Sequence, residues 1–305
     1  MRPILFRSLG VFLVLAPFAQ TTAKEPVRTE LIRLQKDTGL TLASFYRSLE
    51  TVLFADRSMS AGKEVLAAMA GDGAITRDGM DVAVNLFPHG FGVVHNDGSD
   101  FRGYSEVSAA YELCWSYDKS KLAMNVQNLK RGTTPPNDNL QIFNLSSKEI
   151  QVFDVRAAVT SQCWSPDNKK VVYDADDHVR AYDSEQKQWL ELAKGHDATW
   201  SPDGNWIAFL DDDTYYAISP SGENRRELFK SKGALSGLWW SPDSRIVAYI
   251  SRNKTFEGPM ALDVGMARLR VRRLSDSSED WVAQVSDAHI PAYQWVQTPI
   301  NAERP

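Results

Sequence analysis

The sequence predicts an all-β fold, a β-propeller of four-stranded blades, and three observations lead to this prediction. A Trp-Ser-Pro-Asp phrase recurs at Trp164, Trp200 and Trp240, and a copy that has lost the proline begins at Trp115. Each copy runs into a short apolar stretch, such as residues 171–173. Two further short strand-like stretches follow in each unit, and four strands in about 40 residues make one propeller blade. Units of this kind bury their core against their neighbours, so the repeat builds an array.

The phrase also predicts the tight hairpin between the first two strands of each blade. Proline presets φ at the second turn position, and Ser, Asp and Gly suit the first, third and fourth positions. The aspartates that recur in this turn are therefore expected to be structural: Asp78, Asp118, Asp167, Asp203 and Asp243. The recurring tryptophans are expected to pack between adjacent blades, or alternatively to line an aromatic binding channel: Trp115, Trp164, Trp200, Trp240 and Trp295.

Alignment on the tryptophan position adds a degenerate copy at Ile75 and a final stub at Trp295. The stub can supply the inner strand of a sixth blade, whose outer strands would come from residues 51–55 and 64–67. Closing the ring in this way removes exposed sheet edges, so we expect six blades with N- and C-terminal ring closure. The alternative is five blades with a small N-terminal helical cap, because apolar residues within 29–70 come close to helical spacing.

The first residues have the layout of a secretory signal peptide, with basic, apolar and small-residue regions over residues 1–23. Residues 24–73 then contribute to ring closure or to the cap, residues 74–298 form the propeller repeats, and residues 299–305 form a tail. The leader predicts a periplasmic or secreted protein. Its apolar run is too short to span a bilayer, and no later segment is a candidate, so no transmembrane segment is expected after signal removal.

Charge and sequence motifs limit which partners and cofactors we expect. The formal net charge is −5, which argues against nucleic acid as a partner because such proteins present basic surfaces. The sequence contains no phosphate-binding glycine loop, no Gly-x-Ser-x-Gly elbow and no metal-ligand pair with a diagnostic spacing. We therefore expect no cofactor and no metal.

Cys114 and Cys163 are the two cysteines of the chain, and each stands one residue before a repeat tryptophan. Equivalent positions in adjacent blades are expected to be separated by a sheet spacing of about 10 Å, which is too far for a disulfide without distortion. The expectation is therefore two buried thiols that act as small apolar residues.

One rim of the predicted ring gathers the polar residues that differ between repeats. It carries the turns between second and third strands, the connections to the next blade, and two long insertions at residues 127–138 and 251–266. Its candidate binding residues are His89, His178, His196, His289, Asp176, Asp177, Asp211, Asp212 and Asp213, and Asp174 is expected on the same rim. Histidines with clustered carboxylates can hold a divalent metal, but these histidines lie on different blades. A negative rim that favours basic or polar partners is the preferred interpretation.

The Trp-Ser-Pro-Asp-Gly units, the Ile-Ala-Phe strand at residues 207–209 and the Asn-Asp-Gly-Ser turn at residues 96–99 resemble the PD40 repeats of TolB-like six-bladed propellers. The resemblance covers roughly residues 74–298. It implies a WD40-like, periplasmic or secreted ring that mainly binds proteins or peptides. The resemblance is to the repeat class, since the residues between the expected leader and Ala74 are expected to be too few for the larger α/β domain that TolB-like translocation proteins carry ahead of the propeller. PD40 rings also occur beside serine peptidase domains and in some metal-dependent pectate-type lyases.

We therefore expect a binding module for an envelope or secreted protein or peptide, rather than an enzyme. The two long insertions are the expected binding loops, because loops on a rigid scaffold usually carry binding residues. The alternative is a metal-assisted lyase or hydrolase that uses His178, His196 or His289 with rim carboxylates. A purely structural subunit is a third interpretation, and the sequence leaves the oligomeric state open.

Overall fold

The computed structural model describes thirteen ranges of the chain. They are residues 40–47, 51–55, 62–67, 73–86, 90–95, 99–107, 109–127, 138–153, 159–160, 162–252, 267–275, 279–284 and 292–297. Every regular element within these ranges is a β-strand, and they contain no helix that could cross a membrane. The expected leader, residues 1–23, and the expected tail, residues 299–305, lie outside the described residues.

The strands are short, as expected for segments rich in β-branched and aromatic residues. Their bounds are β1 Leu40–Arg47, β2 Thr51–Ala55, β3 Gly62–Ala67, β4 Gly73–Ile75, β5 Asp81–Asn85, β6 Phe91–His95, β7 Arg102–Tyr104, β8 Ala109–Trp115, β9 Lys121–Gln127, β10 Asp138–Asn144, β11 Ile150–Phe153, β12 Lys170–Ala175, β13 His178–Asp183, β14 Gln188–Lys194, β15 His196–Trp200, β16 Ile207–Asp211, β17 Thr214–Ile218, β18 Arg226–Lys230, β19 Trp239–Trp240, β20 Ile246–Arg252, β21 Ala267–Arg273, β22 Glu279–Gln284 and β23 Ala292–Gln297.

Five blades follow one another along the chain, each an antiparallel sheet with its strands in sequence order. They are blade 1 (β4–β7), blade 2 (β8–β11), blade 3 (β12–β14), blade 4 (β15–β18) and blade 5 (β19–β22). Blade 3 has three named strands, and an isolated bridge between Trp164 and Val171 stands at its inner edge. A further sheet, which we call the closing sheet, has the order β23-β1-β2-β3 and joins strands from the two ends of the described chain.

The expectation of six blades, the sixth closed by the two ends of the chain, is thus corrected to the five blades that the repeat itself supplies, as the alternative interpretation expected. The helical cap of that alternative is wrong, because residues 40–47, 51–55 and 62–67 are strands. A short apolar run is compatible with a helix or a strand, and here pairing with β23 decides between them. The partner of the C-terminal stub is β1, with Leu42 opposite Trp295, whereas β2 and β3 lie farther out.

The register of the hairpins is the same in all five blades and it places one apolar side chain in the core of each. The residue at the tryptophan position pairs with the residue seven places later, as in Trp200 opposite Ile207 and Ile75 opposite Val82. The partner residues are fully buried: Val82, Leu122, Val171, Ile207 and Val247. Because side chains alternate along a strand, this common register makes every blade present the same face to its neighbour.

The recurring Ser and Asp residues hold the hairpin turn. In blade 4 the Ser201 hydroxyl donates to Asp203 Oδ1 at 2.6 Å and accepts the backbone N–H of Trp206 at 3.0 Å. The same hydroxyl–carboxylate pair recurs with Asp78, Asp118, Asp167 and Asp243 at 2.5–2.7 Å. Burial of these turns leaves backbone donors that need partners, and the short polar side chains supply them.

The tryptophans link each blade to the one before it. The indole N–H of Trp115 donates to the carbonyl oxygen of Ala74 at 3.1 Å, and that of Trp164 donates to Cys114 at 3.2 Å. Trp240 and Trp295 donate across the following junctions at 3.1 and 2.8 Å, to the Thr199 hydroxyl and the Trp239 carbonyl. Trp200 is also buried, but its indole N–H has no hydrogen-bond partner among the described residues.

The expectation of two free thiols is wrong, because Cys114 and Cys163 form a disulfide that joins blades 2 and 3. Their Cα atoms lie 6.2 Å apart, within the range that a disulfide spans. The spacing of about 10 Å between packed sheets applies to their faces. The inner strands of a propeller converge towards the ring axis, so equivalent residues there come closer together.

Candidate functional site

We call the edge of the ring that carries the turns between second and third strands the first rim. Where blades 3 and 4 meet on this rim, three titratable side chains come together: Asp174, His196 and Asp197. Asp174 lies near the end of β12, and the other two begin β15, the inner strand of blade 4. The connection between the blades thus brings a His-Asp pair against a partly buried carboxyl group.

A β-bulge at the start of β15 directs backbone N–H groups towards the carboxyl group of Asp174. The register between β15 and β16 shifts between His196 and Thr199, and Asp197 has a φ of 55°. This left-handed conformation is one that Asp tolerates better than most residues, and a bulge leaves N–H groups outside the ladder. Asp174 accepts them: its Oδ1 from Ala198 at 3.2 Å, and its Oδ2 from Asp197.

The environment raises the pKa of both Asp174 and His196. Burial, and then the negative charge of Asp197, raise the pKa of Asp174 to about 7, while the two backbone hydrogen bonds act in the opposite direction. His196 Nδ1 lies 2.9 Å from Asp197 Oδ2, and this hydrogen bond raises the pKa of His196. The His196 side chain is 51% exposed. A ligand at the rim can therefore meet His196 as a hydrogen-bonding group and Asp174 as a group that exchanges protons near pH 7.

The position of Asp174 is polar in three consecutive blades. Asn85, Asn125 and Asp174 each stand ten residues after the tryptophan position, where blades 4 and 5 have Leu210 and Ile250. Asn85 is fully buried, and neither of its amide atoms has a hydrogen-bond partner in the described ranges; the same holds for the Asn125 side-chain oxygen. Buried polar groups are normally paired. The inner part of the first rim is therefore polar along blades 1–3 and apolar along blades 4 and 5.

The other candidate aspartates of the rim are held by local contacts or point to solvent. Asp211 pairs with the Arg225 guanidinium at 3.0 Å, and Asp213 Oδ1 accepts the N–H of Gly233 at 2.9 Å. Three more are exposed and adopt φ values of 52–60° in their turns: Asp176, Asp177 and Asp212. These turns therefore display carboxylates on the first rim without bringing them together.

His178 is not part of the junction. Its Nδ1 lies 2.8 Å from the backbone oxygen of Asp176, and its Nε2 lies 3.8 Å from Glu191 Oε1 on the outer strand. His89, His289 and the inner parts of the two long insertions, residues 128–137 and 253–266, lie outside the described residues. Their expected binding roles remain predictions.

The described residues do not fit a metal centre. No group of three His, Cys, Asp or Glu side chains with a suitable arrangement occurs among them. At the junction, His196 is already hydrogen bonded to Asp197, and the carboxyl oxygens of Asp174 accept backbone N–H groups. We derive no step through a metal ion from this site.

The sequence pattern places Asp174 and His196 on this rim, but it does not select Asp197. One feature of the sequence could have pointed to Asp197. Glu112 stands three residues before its repeat tryptophan, as Asp197 does, with a φ of 51° and a register shift in its strand. Two acidic residues at one repeat position mark the bulge, and in blade 4 this bulge directs backbone N–H groups at Asp174 of the preceding blade.

Comparison with known proteins shows which fold the chain has, and it shows no relationship closer than the fold. No protein-family model and no curated protein matches this sequence. Among solved structures, TolB from Acinetobacter baumannii is 15% identical, with a TM-score of 0.60 over 88% of this chain and 71% of that chain. An oligogalacturonate lyase in complex with manganese is 12% identical, with a TM-score of 0.56 over 77% and 70% of the two chains.

A third similar structure is a chain of a nidogen/laminin complex, at 8% identity and a TM-score of 0.59 over 84% of this chain and 97% of that chain. At such identities the likeness concerns the fold alone. The fold is that of a TolB-like β-propeller, which confirms the class that the PD40-like repeats predict. Propellers of this shape serve unrelated functions, so function must be argued from the site.

Proposed function

We propose that this protein is an exported β-propeller that binds another protein or a peptide through its first rim. The observation that carries the proposal is the junction of Asp174, His196 and Asp197, which presents ionisable hydrogen-bonding groups at the rim. Blade 3 is tied to blade 2 by the Trp164 contact and the disulfide, and to blade 4 by the hydrogen bonds that Asp174 accepts. Groups held on a rigid scaffold lose little conformational freedom on binding, which favours recognition.

The charge of the rim indicates the kind of partner. Around the junction, Asp176, Asp177 and Asp212 expose carboxylates, whereas the outermost strands end in Lys194 and Lys230. The middle of the rim, between the inner and the outermost strands, is therefore acidic, and its outer border is basic. A surface of this kind attracts a basic or polar segment to the middle of the rim and fixes its register by charge complementarity.

The disulfide supports export to the periplasm of a bacterial-type envelope or to the outside of the cell. Cys114 and Cys163 are bonded to each other, and disulfides persist mainly in oxidising compartments. The signal-peptide layout of residues 1–23 agrees with this location. Fractionation of cells that produce the full chain tests it: recovery in the cytosol with both thiols reduced would contradict the proposal.

The fold likenesses support a binding role at the level of analogy. One similar chain comes from a nidogen/laminin complex, which is a protein assembly, and another is TolB. We extend to this chain only the use of a propeller as a docking ring. The long insertions at residues 127–138 and 251–266 are proposed to border the same surface.

Charge-neutralising variants test the proposal. Asn at positions 176 and 212 keeps the left-handed turn conformation, because Asn tolerates positive φ, and it removes two exposed charges. We expect the Asp176→Asn, Asp212→Asn protein to retain less than a third of the partner that the wild-type chain captures from native envelope extract after cross-linking. Asp197→Ala, which removes the carboxylate beside His196, is expected to lose capture as well.

The matched control lies on the opposite rim. Glu185 and Glu223 are exposed carboxylates in turns between third and fourth strands, so Glu185→Gln with Glu223→Gln removes the same charge elsewhere. Capture should stay at the wild-type level in this control. Equal loss in both double variants would show a non-specific charge effect, and no loss in either would contradict binding at the first rim.

An enzymatic role is the second candidate, and the pKa of about 7 for Asp174 is the observation that favours it. A carboxyl group that titrates near neutral pH is suited to general acid–base chemistry. A lyase or hydrolase that also used a metal would draw its ligands partly from His89 or His289. Elemental analysis of the purified full chain separates the candidates, since a stoichiometric divalent metal would favour catalysis.

We also propose that the closing sheet acts as a sixth blade that completes the ring. Strand β23 contacts β19 of blade 5 and β4 of blade 1, and Trp295 donates to the carbonyl oxygen of Trp239 at 2.8 Å. A closed ring leaves no sheet face uncovered. Truncation after residue 291 removes β23 and should lower the unfolding midpoint sharply; an unchanged midpoint would contradict closure.

A further inference from the structure

Strand β21 gives blade 5 a basic outer wall. It runs from the first rim to the opposite edge of the ring, which we call the second rim, and it reads Ala-Arg-Leu-Arg-Val-Arg-Arg over residues 267–273. Arginines alternate along it, and we call three of them the arginine row: Arg268, Arg270 and Arg272. The third strands of the other four blades contain one arginine between them, Arg180. The repeat therefore does not explain the row.

The arginine row faces blade 4. Its members pair, in order, with Ser251, Tyr249 and Val247 of β20. The Tyr249 ring packs against Tyr215 and Phe229 of blade 4, at centroid distances of 5.3 and 5.2 Å. Residues that stand opposite each other in an antiparallel pair present their side chains to the same face. The row therefore lines the outer part of the junction between blades 4 and 5.

Contacts within the junction hold two members of the row in place. Arg270 Nε donates to the hydroxyl oxygen of Ser251 at 2.5 Å, and the Arg272 guanidinium carbon lies 4.6 Å from the centroid of the Phe229 ring. Arg272 Nε is buried without a hydrogen-bond partner among the described residues, so compensation of its charge has to come through the terminal nitrogens. A guanidinium that stacks on a ring presents these nitrogens in its own plane to an acceptor. Arg268 is exposed.

Blade 4 adds a fourth guanidinium to the same junction. Arg226 is exposed, and its guanidinium carbon lies 3.8 Å from the centroid of the Trp206 ring. In β17 it pairs with Ala217, which stands two residues after Tyr215 and so shares the face that Tyr215 turns towards blade 5. The outer junction therefore collects arginines from both of its walls.

Acidic residues are scarce on the same walls. Glu227 is the only acidic residue in the strands β17, β18, β20 and β21. It pairs with Tyr216, whose ring stacks on Phe209 on the face of blade 4 that packs towards blade 3. In β22, Glu279 stands opposite Arg272 in register. One acidic position against four arginines leaves the outer junction with a positive charge.

The equivalent arginine of blade 3 shows the usual arrangement. Arg180 pairs with Tyr173 as Arg270 pairs with Tyr249, and both tyrosines stand nine residues after a repeat tryptophan. Arg180 Nε lies 3.4 Å from a carboxylate of the outermost strand, that of Glu191. Beside Arg270, the outermost strand has Val282 at the paired position. Blade 5 thus lacks the acidic residue that answers the arginine in blade 3.

We propose that the arginine row and Arg226 bind an extended acidic peptide segment of a partner protein, one with Asp or Glu at alternate positions. Alternate residues of a strand lie about 6.6 Å apart on one face, so carboxylates at alternate positions match the spacing of the row. Each carboxylate accepts two N–H groups from the planar fork of a guanidinium. This surface lies on the outer wall between blades 4 and 5, whereas the proposed function uses the first rim at blades 3 and 4. Each proposal can therefore fail without the other.

Fluorescence anisotropy with labelled peptides tests the proposal on the full chain. The probe is a peptide of alternating Glu and Thr residues with both ends blocked, and the control peptide has the same composition with all Glu residues before the Thr residues. We expect the alternating peptide to bind, and to bind more weakly as salt is added, because exposed charge pairs are screened. The control peptide should bind about fivefold more weakly, because its carboxylates do not match the row. Equal affinity for the two peptides would overturn the proposal.

Matched arginine variants locate the binding surface. Arg226→Gln with Arg268→Gln removes two exposed charges and should weaken binding of the alternating peptide about fivefold, since each exposed ion pair contributes modestly. Arg102→Gln with Arg180→Gln removes the same charge from arginines that lie near carboxylates in blades 1 and 3, and binding should stay within about twofold of wild type. Equal loss in both double variants, or no loss in the first, would overturn the proposal.

A second polyanion tests the kind of ligand. Single-stranded oligothymidine also carries regularly spaced negative charges along an extended chain. We expect it to bind more weakly than the alternating peptide at the same salt concentration. Binding that is as tight as that of the peptide, and that is equally weakened by Arg226→Gln with Arg268→Gln, would overturn the assignment to an acidic peptide.

Discussion

Asp174 of blade 3 accepts a hydrogen bond from the backbone N–H of Ala198 in blade 4 at 3.2 Å. Together with the bond from the neighbouring N–H of Asp197, this contact couples the protonation of one carboxyl group to the packing of two blades. The bulge that supplies both N–H groups also presents His196 to the rim. Stability and binding at this junction should therefore depend on pH in a defined direction.

Stability should fall as the pH rises through the neutral range. The pKa of Asp174 is raised to about 7 in the folded protein, so the folded state holds a proton that the unfolded state, with a carboxyl pKa of about 3.9, releases. The resulting stabilisation is present at low pH and is lost between about pH 4 and 7, by about 1–4 kcal/mol. The raised pKa of His196 acts in the same direction. Urea unfolding at pH 5 and pH 8 measures the difference.

Asp174→Asn should flatten this dependence, because an amide does not titrate. Asp203→Asn is the matched control. The pKa of Asp203 is lowered by its turn hydrogen bonds, so the stability that its charged carboxylate contributes to the fold is lost only as the pH falls towards about 4 and below. That variant should be less stable at both pH values with the slope between them unchanged. A wild-type protein that is more stable at pH 8 than at pH 5 would contradict this account of the junction.

Loss of the disulfide should destabilise the ring without abolishing it. Cys114 and Cys163 are separated by 49 residues, and closing a loop of that size typically stabilises a fold by about 2–4 kcal/mol. We expect Cys114→Ser with Cys163→Ser to lower the free energy of unfolding by that amount. Alkylation of the denatured, unreduced chain followed by mass spectrometry should label neither cysteine; two labelled thiols would contradict the bond.

The tryptophan contacts make a comparative prediction. The indole N–H of Trp164 donates to the Cys114 carbonyl at 3.2 Å, whereas that of Trp200 has no partner within the part of the chain that the structure describes, and both rings are buried. Trp164→Phe and Trp200→Phe remove similar apolar area, but only the first removes a hydrogen bond. We expect Trp164→Phe to cost about 1 kcal/mol more in the free energy of unfolding. Equal costs would argue against a role for the indole N–H.

The hairpin turn should depend on its serine. Ser201 is fully buried, and its hydroxyl accepts the backbone N–H of Trp206. Ser201→Ala leaves that N–H without its partner and should cost about 1–3 kcal/mol, because unsatisfied buried donors are unfavourable. Ser221→Ala, in an exposed turn of the same blade, should stay within about 0.5 kcal/mol of wild type. Urea midpoints of the two variants give the comparison.

Local chemistry explains why the repeat could be predicted. The Ser201–Asp203 turn and the pairing of Trp200 with Ile207 depend on residues a few positions apart, and such patterns are visible in the sequence. The disulfide could not be predicted, because the approach of Cys114 to Cys163 depends on the convergence of inner strands at the axis. The expectation of two free thiols used a spacing of about 10 Å, and this spacing applies to the faces of packed sheets.

The candidate site was predicted in part for a similar reason. Turn positions place Asp174 and His196 on one rim, but the raised pKa of Asp174 depends on burial and on Asp197, which a bulge brings close. The contact between Arg272 and Phe229 likewise joins two blades. Long-range juxtapositions of this kind follow from the ring geometry, which the repeat alone does not determine to within a hydrogen bond.

Site-specific photo-cross-linking tests the central claim most directly. A photoreactive phenylalanine is placed at Asp177, beside the junction on the first rim, or at Gln186, in an exposed turn of blade 3 on the second rim. Each full-length variant is irradiated in its native envelope. The account predicts one discrete protein adduct from position 177, lost on Asp197→Ala, and none from position 186. Adducts of equal yield from both positions, or an adduct at 177 that survives Asp197→Ala, would contradict binding at the first rim.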